Sequence, residues 1–302
     1  MTAHRLAPEV AGFYTSQSTF SDPGELVGWY TDLPRDVGAL ARVVRDVMIH
    51  RVEGGQFGVP IAEDRMRGDA ETRYVDDILR LVVERDGAPL VERREFADRF
   101  VGICRDFTLL HVSLLRHVGI PARLRSGFAS YFGNDGFHFD HVVTEYWDDE
   151  RGWLLADAQI ADTAWYPMPF EPTDVPRDRF LVASEAWQLI RAGKADPKSF
   201  GLHLPEGPMV GEFFVAGNIR LDLAALNKVE TLLWDVWGIG AGDDGAMTDD
   251  IRDLYDLAAR ATCGDVPFDE ARALFASHDG LRTPATVMSL SSFNGPTRVT
   301  LR

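Results

Sequence analysis

Only two cysteines, Cys104 and Cys263, occur in the 302 residues. That number excludes a disulfide framework. It also leaves no Cys-x2-Cys pair, and no His-Glu-x2-His spacing occurs, so a metal site is not expected. No run of about 18 apolar residues is present, which argues against a membrane-spanning helix. Residues 1–5 are followed by no apolar segment of the kind a secretory leader carries, so the expectation is a cytoplasmic chain, where a free thiol stays reduced. Basic residues are scarce, 31 against 47 acidic, for a net charge of −16. Such a surface repels nucleic acid and anionic membranes. Internal repeats and low-complexity tracts are absent. One dinucleotide-loop spelling exists, Gly240-Ala241-Gly242-Asp243-Asp244-Gly245. It follows a predicted helix where the motif needs a strand, and its aspartates would repel phosphates. A flexible acidic loop is the reading, and no organic cofactor is expected.

What is present centres on Cys104, in Gly102-Ile103-Cys104-Arg105-Asp106. From 107 to 118, Phe107, Leu110, Leu114 and Val118 recur at helical spacing, and Leu109, Val112 and Leu115 widen the stripe. The pattern predicts a helix buried on most sides. Gly119 supplies a left-handed stop and Pro121 prevents continuation. Cys104 then falls in or beside the first turn, where free N–H groups and the positive end of the dipole favour a thiolate. The same N–H groups suit an oxyanion formed on a carbonyl.

Two strands follow. Residues 137–147 are rich in aromatic and β-branched side chains, and residues 153–159 return after the polar turn Asp148-Asp149-Glu150-Arg151-Gly152. His141 lies on the first strand and Asp157 on the second. If Trp147 stands opposite Arg151 or Trp153, Asp157 comes directly across from His141 or one diagonal away. A slip of one residue would put them on opposite faces. A thiol, an imidazole and a carboxylate in this order are the parts of a cysteine-nucleophile acyl transferase or hydrolase.

The stretch 95–160 resembles the transglutaminase-like superfamily, whose core belongs to the papain-like cysteine enzymes. The resemblance rests on Gly-x-Cys-Arg-Asp, on Gly119-Ile120-Pro121-Ala122-Arg123, on the His141 strand, and on Gly152-Trp153 followed by Asp157. It implies Cys104 as nucleophile, His141 as base and Asp157 as orienting carboxylate. It implies an α+β core in which the helix carrying the nucleophile packs on an antiparallel sheet. It also implies a peptide, protein or carrier-bound acyl substrate, with water or an amine as acceptor. Papain-like enzymes are expected to add an oxyanion donor from upstream. Gln56, in the glycine-rich Gly54–Gly58 loop, and Tyr74 are the candidates; an exposed loop glutamine is the plainer reading of Gln56.

Other residues have competing readings. His138, on the opposite strand face, is an alternative base that could pair with Asp140. His111, two turns past the thiol, and His117 read as structural. Arg105 either supports the thiolate, forms an ion pair or packs at the surface. Arg116, Arg123 and Arg125 read as a solvated strand edge, or as a patch for an acidic substrate. The acidic loop near 243–250 lacks EF-hand spacing.

The chain divides into a catalytic core with N-terminal helices over 1–170 and a mainly helical extension over 171–302, which caps the cleft or forms a homodimer surface. Helices are expected after Asp22-Pro23 and over 36–50, 72–84, 179–191, 218–237, 249–262 and 268–277, with a further strand over 122–132.

Overall fold

The computed structural model describes residues 5–133, 135–204, 207–239 and 247–302. The acidic Gly240–Gly245 loop lies outside the described residues. The helices are α1 (Pro8–Thr15), α2 (Val37–Val47), α3 (Glu63–Gly68), α4 (Val75–Arg85), α5 (Cys104–His117), α6 (Ala183–Arg191), α7 (Glu212–Leu226), α8 (Asp249–Thr262) and α9 (Phe268–Ser277). The strands are β1 (Met48–His50), β2 (Phe100–Gly102), β3 (Ala122–Ala129), β4 (His138–Asp148), β5 (Gly152–Ala156), β6 (Phe180–Val182), β7 (Phe200–Leu204), β8 (Gly207–Val210), β9 (Asp235–Val236), β10 (Thr286–Ser291) and β11 (Gly295–Thr300). None of the described helices is long and apolar enough to cross a membrane.

Two compact units emerge, and they interleave along the chain. The first comprises Met1–Leu124, Val143–Val175 and Ser291–Gly295; the second comprises Arg125–Val142, Pro176–Leu290 and Pro296–Arg302. The division differs from a single cut near residue 170, because β3 and β4 each contribute residues to both units. The large sheet has the order β6-β3-β4-β7-β8, with β5 also on β4.

In the first unit α5 packs against α1, α2, α4 and a 3-10 turn over Ala158–Ile160. Its whole span is buried up to Arg116, as a stripe this wide requires. It ends at Gly119, whose φ is +87°, and the Ile120 N–H returns to the Leu115 carbonyl at 2.9 Å. The expected helix after Pro23 is a 3-10 helix over Gly24–Tyr30. A parallel pair that no sequence signal marked, β1 with β2, sets His50 opposite Gly102.

His111 is fully buried, with Nε2 at 3.3 Å from the Val37 carbonyl and Nδ1 at 3.0 Å from Thr144 Oγ1. A carbonyl only accepts, so Nε2 carries the proton and Nδ1 accepts from the threonine. Burial pushes its pKa down to about 4 from 6.5, against the pull of the Val37 carbonyl and the Asp157 charge. The unfolded imidazole takes a proton near 6.5 and the folded one resists to about 4. Stability is therefore expected to fall as pH drops through that window, by up to ~3 kcal/mol from this residue. Urea titrations of the wild type and of His111→Gln between pH 7 and about 4 check this; the variant should show a shallower decline.

In the second unit β3 pairs antiparallel with β6, β7 pairs antiparallel with β8, and β7 runs parallel to β4, with His138 opposite Phe200. The sheet is thus mixed. The long crossover through α6 returns the chain in the same direction as β4. Phe128, Trp187, Phe200, Ile219, Leu223 and Tyr255 share one core with α6, α7, α8 and α9. After residue 171 the described residues form α6–α9 together with β6–β11; β9, β10 and β11 make a three-stranded sheet, β9 where a helix was expected to continue to residue 237 and β10 and β11 where the last residues gave no clear reading. Helix α7 begins and ends earlier than 218–237. It starts after Gly211, at φ +117°, and Lys228 at φ +64° stops it.

The arginines expected on a solvated edge are buried and paired. In the first unit Arg116 donates to the Ala122 carbonyl at 3.0 Å and to Ser21 Oγ at 2.8 Å. Arg123 there meets Glu145 at 2.7 Å and lies over the Trp153 ring at 4.0 Å. In the second, Arg125 meets Asp222 through Nε and Nη2, each at 3.0 Å. The planar guanidinium fork suits carboxylate partners inside a fold.

Candidate active site

Cys104 is the first residue of α5 and 5% exposed. The turn before it is held by Asp106, whose Oδ2 accepts the Ile103 N–H at 2.9 Å. Asp106 is fully buried, and burial raises its pKa against the opposing charge of Arg105. Arg105 is also buried. Its Nη1 donates to Asp106 Oδ1 at 3.0 Å and its Nη2 to the Arg73 carbonyl at 2.6 Å. An ion pair, one of the readings open for Arg105, is present, and the side chain is buried rather than packed at the surface.

Gly102 is explained by the same turn. A Cβ there would lie 3.1 Å from both Asp106 Cβ and Oδ2, and 3.2 Å from the Phe100 ring. Both neighbours are buried, so neither yields easily. Gly102→Ala is expected to destabilise by about 1–3 kcal/mol and to slow thiol labelling at Cys104. Urea melts alongside labelling rates measure both effects, and an unchanged midpoint would remove this explanation of the glycine.

Sequence reading missed Arg51. Its backbone N–H donates to the Gly102 carbonyl at 2.9 Å, just past the β1–β2 pair. Burial pushes its pKa down, and the charges of Cys104, Asp106 and Glu71 push it back up. The three-residue β1 follows α2 without a break, so the sequence held no signal for this placement. The adjoining His50 ring lies parallel to Phe107 at 6.4 Å.

Gln56 sits on a turn closed by Phe57 N–H to Glu53 O at 3.0 Å and Val59 N–H to Gly54 O at 2.8 Å, and its side chain is exposed. The turn is anchored by Glu53, which accepts from Arg45 and from the His50 N–H, each at 2.8 Å, and from the Tyr166 hydroxyl. Phe57, Phe107 and Tyr166 surround the Arg45 guanidinium at 5.2–5.6 Å. Tyr74 is buried and stacked on Phe20 at 5.1 Å.

Asp157 follows the last residue of β5 and is 1% exposed. One oxygen caps the 3-10 turn by accepting the Gln159 N–H at 2.9 Å. The β4–β5 register sets Trp147 opposite Trp153 and ends at Thr144 opposite Ala156. Cys104 and Asp157 belong to the first unit.

His141 belongs to the second unit, on β4, and is 2% exposed. Its ring meets Phe132 edge-on at 4.9 Å, Tyr131 at 6.0 Å and Phe180 at 6.3 Å. His138 is engaged elsewhere. It lies parallel to Phe200 at 4.8 Å, and burial lowers its pKa against the pull of the Gly136 and Ser199 backbone. The partner of Asp140 is Asn218 and not His138. Cys263 is half-buried, with Sγ 3.8 Å from Gln188 Oε1; burial and the Glu185 charge push its thiol pKa up.

Residues 82–158 match the model of the transglutaminase-like superfamily. That segment is a transglutaminase-like core within an α+β chain, and the match supports cysteine-based catalysis in general. No curated protein matches the chain. A solved structure from Cytophaga hutchinsonii, provisionally named a cysteine protease, is similar at 17% identity with a TM-score of 0.36. It covers 59% of this chain, which spans 46% of that structure. A likeness this loose carries no argument about activity.

Proposed function

We propose that the protein is a cysteine-dependent acyl-transfer or hydrolytic enzyme acting on an amide, peptide or thioester carbonyl. The observation that carries the reading is Cys104 at the start of the buried α5, inside the segment that matches the family. His141 takes the thiol proton as sulfur attacks the carbonyl carbon. The first N–H groups of α5 face the developing oxyanion. The tetrahedral intermediate collapses, His141 returns the proton to the departing amine or thiol, and an acyl-enzyme remains. Water then releases an acid, or an amine takes the acyl group to form an amide. Asp157 holds the imidazole in the productive tautomer. The β4–β5 register supports that role: continued by one residue it sets Asp157 across from Val143, which shares a strand face with His141.

The two cysteines provide the test. Cys263 is more exposed than Cys104, so labelling by accessibility alone would favour Cys263. Iodoacetamide followed by peptide mapping should instead modify Cys104 first. Faster labelling of Cys263, or equal slow labelling of both, would favour a fold retained for binding without catalysis.

A further inference from the structure

The far end of the chain supplies a turn to the first unit. Ser291–Gly295, which joins β10 to β11, belongs to that unit. The turn is built locally. Ser291 is buried, and its Oγ accepts the Phe293 and Asn294 N–H groups, each at 3.3 Å. Gly295, at φ +71°, supplies the left-handed residue that returns the chain into β11. Phe293, half-buried, and Asn294, exposed, stand at the tip.

The tip is anchored on α3. Arg67, in the last turn of α3, donates through Nη1 to the Phe293 carbonyl, and Asn294 Nδ2 donates back to the Arg67 carbonyl at 3.0 Å. The last carbonyls of a helix run short of intrahelical donors, and Asn294 supplies one from outside. Helix α3 is itself bound to the segment that leads into Cys104. Arg65 donates to the Ala97 and Arg99 carbonyls, and Asp69, the residue after α3, accepts the Val101 N–H at 2.8 Å.

The tip also reaches the residue that follows β1. The Phe293 ring covers the Arg51 guanidinium, with Cζ 5.2 Å from the ring centroid, within range of cation–π attraction. The Arg51 N–H holds the Gly102 carbonyl at 2.9 Å, two residues before Cys104. The next N–H, of Ile103, is held by Asp106 at 2.9 Å. The backbone entering the thiol is therefore fixed at successive groups, and Arg51 supplies one of them.

We infer that Phe293 is a positioning residue for the nucleophile: its ring seats Arg51, and the Arg51 N–H sets the carbonyl two residues before Cys104. Small misplacements of a reacting atom are costly in attack on a carbonyl. The inference rests on the proposed function in calling Cys104 the nucleophile.

Two readouts on the full chain test it: hydrogen exchange at the Arg51 amide, and the rate of Cys104 acylation by p-nitrophenyl acetate. Phe293→Ala should speed Arg51 exchange by about 2–5-fold, the loss of one cation–π contact, and slow acylation by about tenfold at unchanged KM. Phe293→Tyr keeps the ring and should restore both. Phe293→Leu keeps apolar bulk without the ring and should restore neither. Urea midpoints show that each chain is folded. Asn294→Ala loosens the anchor on α3 and should move both readouts in the same direction, which decides the matter if Phe293→Ala does not fold. Arg51 exchange unchanged in Phe293→Ala and Asn294→Ala, faster exchange with an unaltered acylation rate, or equal losses in Phe293→Tyr and Phe293→Ala would overturn the inference. A wild type that is not acylated at all is a failure of the proposed function instead; the exchange readout needs no turnover and still decides whether the ring seats Arg51.

Discussion

His141→Ala is expected to lower acyl transfer from an activated ester such as p-nitrophenyl acetate by about 10²–10⁴-fold, the usual contribution of a positioned general base. The fold should survive, because His141 makes edge contacts with three aromatic rings that can settle around a smaller side chain. Asp157→Ala should cost less activity than His141→Ala, since the carboxylate orients and stabilises the imidazole without taking the proton. Removing it also loses a cap on a buried turn, so part of its effect should appear as stability. Urea midpoints separate the two contributions. His138→Ala, made in parallel, should leave the rate near wild type. A large loss in His138→Ala with none in His141→Ala would transfer the base role.

Asp222→Ala should have the largest effect on stability, about 3–5 kcal/mol. The carboxylate receives Arg125 through both Nε and Nη2, and its Oδ1 also accepts the Ser126 N–H at 2.9 Å. Both side chains are fully buried. Truncation would remove both carboxylate bonds from a guanidinium deep in the second unit, whose Nη2 also donates to the Thr262 carbonyl at 2.6 Å. The charge cannot leave by deprotonation at ordinary pH. Removing both partners with Arg125→Met and Asp222→Leu together should restore part of the loss, because packed apolar groups often match a buried ion pair. Urea unfolding of the singles and the double gives the coupling. A single-variant loss below about 1 kcal/mol would mean that the pair behaves as a surface bridge.

The legible parts of this chain had repeating, one-sided patterns. Helix α5 announced itself by its stripe, by Gly119 and by Pro121; α8 and α9 had equally clear boundaries. The strand pair around the Asp148–Gly152 turn followed from alternation, and one of the two anticipated registers is present. Helix α7 was misread because it is buried on most sides, with Val215, Ala216, Ile219, Arg220 and Leu223 all covered, so no polar face marked its start. Short strands held together by distant partners left no trace. β1 and β2 have three residues each, and their pairing is what brings Arg51 to the start of α5.

Charge was the least legible property. Arg116, Arg123 and Arg125 looked like a surface cluster because arginine is usually exposed. Their partners are Ser21, Glu145 and Asp222, far apart in the chain. Cys104, His141 and Asp157 emerged as candidates from the helix start, the strand alternation and the motifs that resemble the transglutaminase-like superfamily, all of which are local patterns. The placement of Arg51 beside the start of α5 depends on the β1–β2 pairing, which a linear pattern does not encode.

The central claim is that Cys104 forms a covalent acyl-enzyme. Its most direct test is rapid acid quenching of the full chain mixed with p-nitrophenyl acetate, followed by intact mass and peptide mapping. The account predicts one acetyl group on Cys104, formed in a burst, chased by water or an added amine, and absent in Cys104→Ala. Acetylation spread over lysines and Cys263 at the same rate in wild type and Cys104→Ala would contradict it.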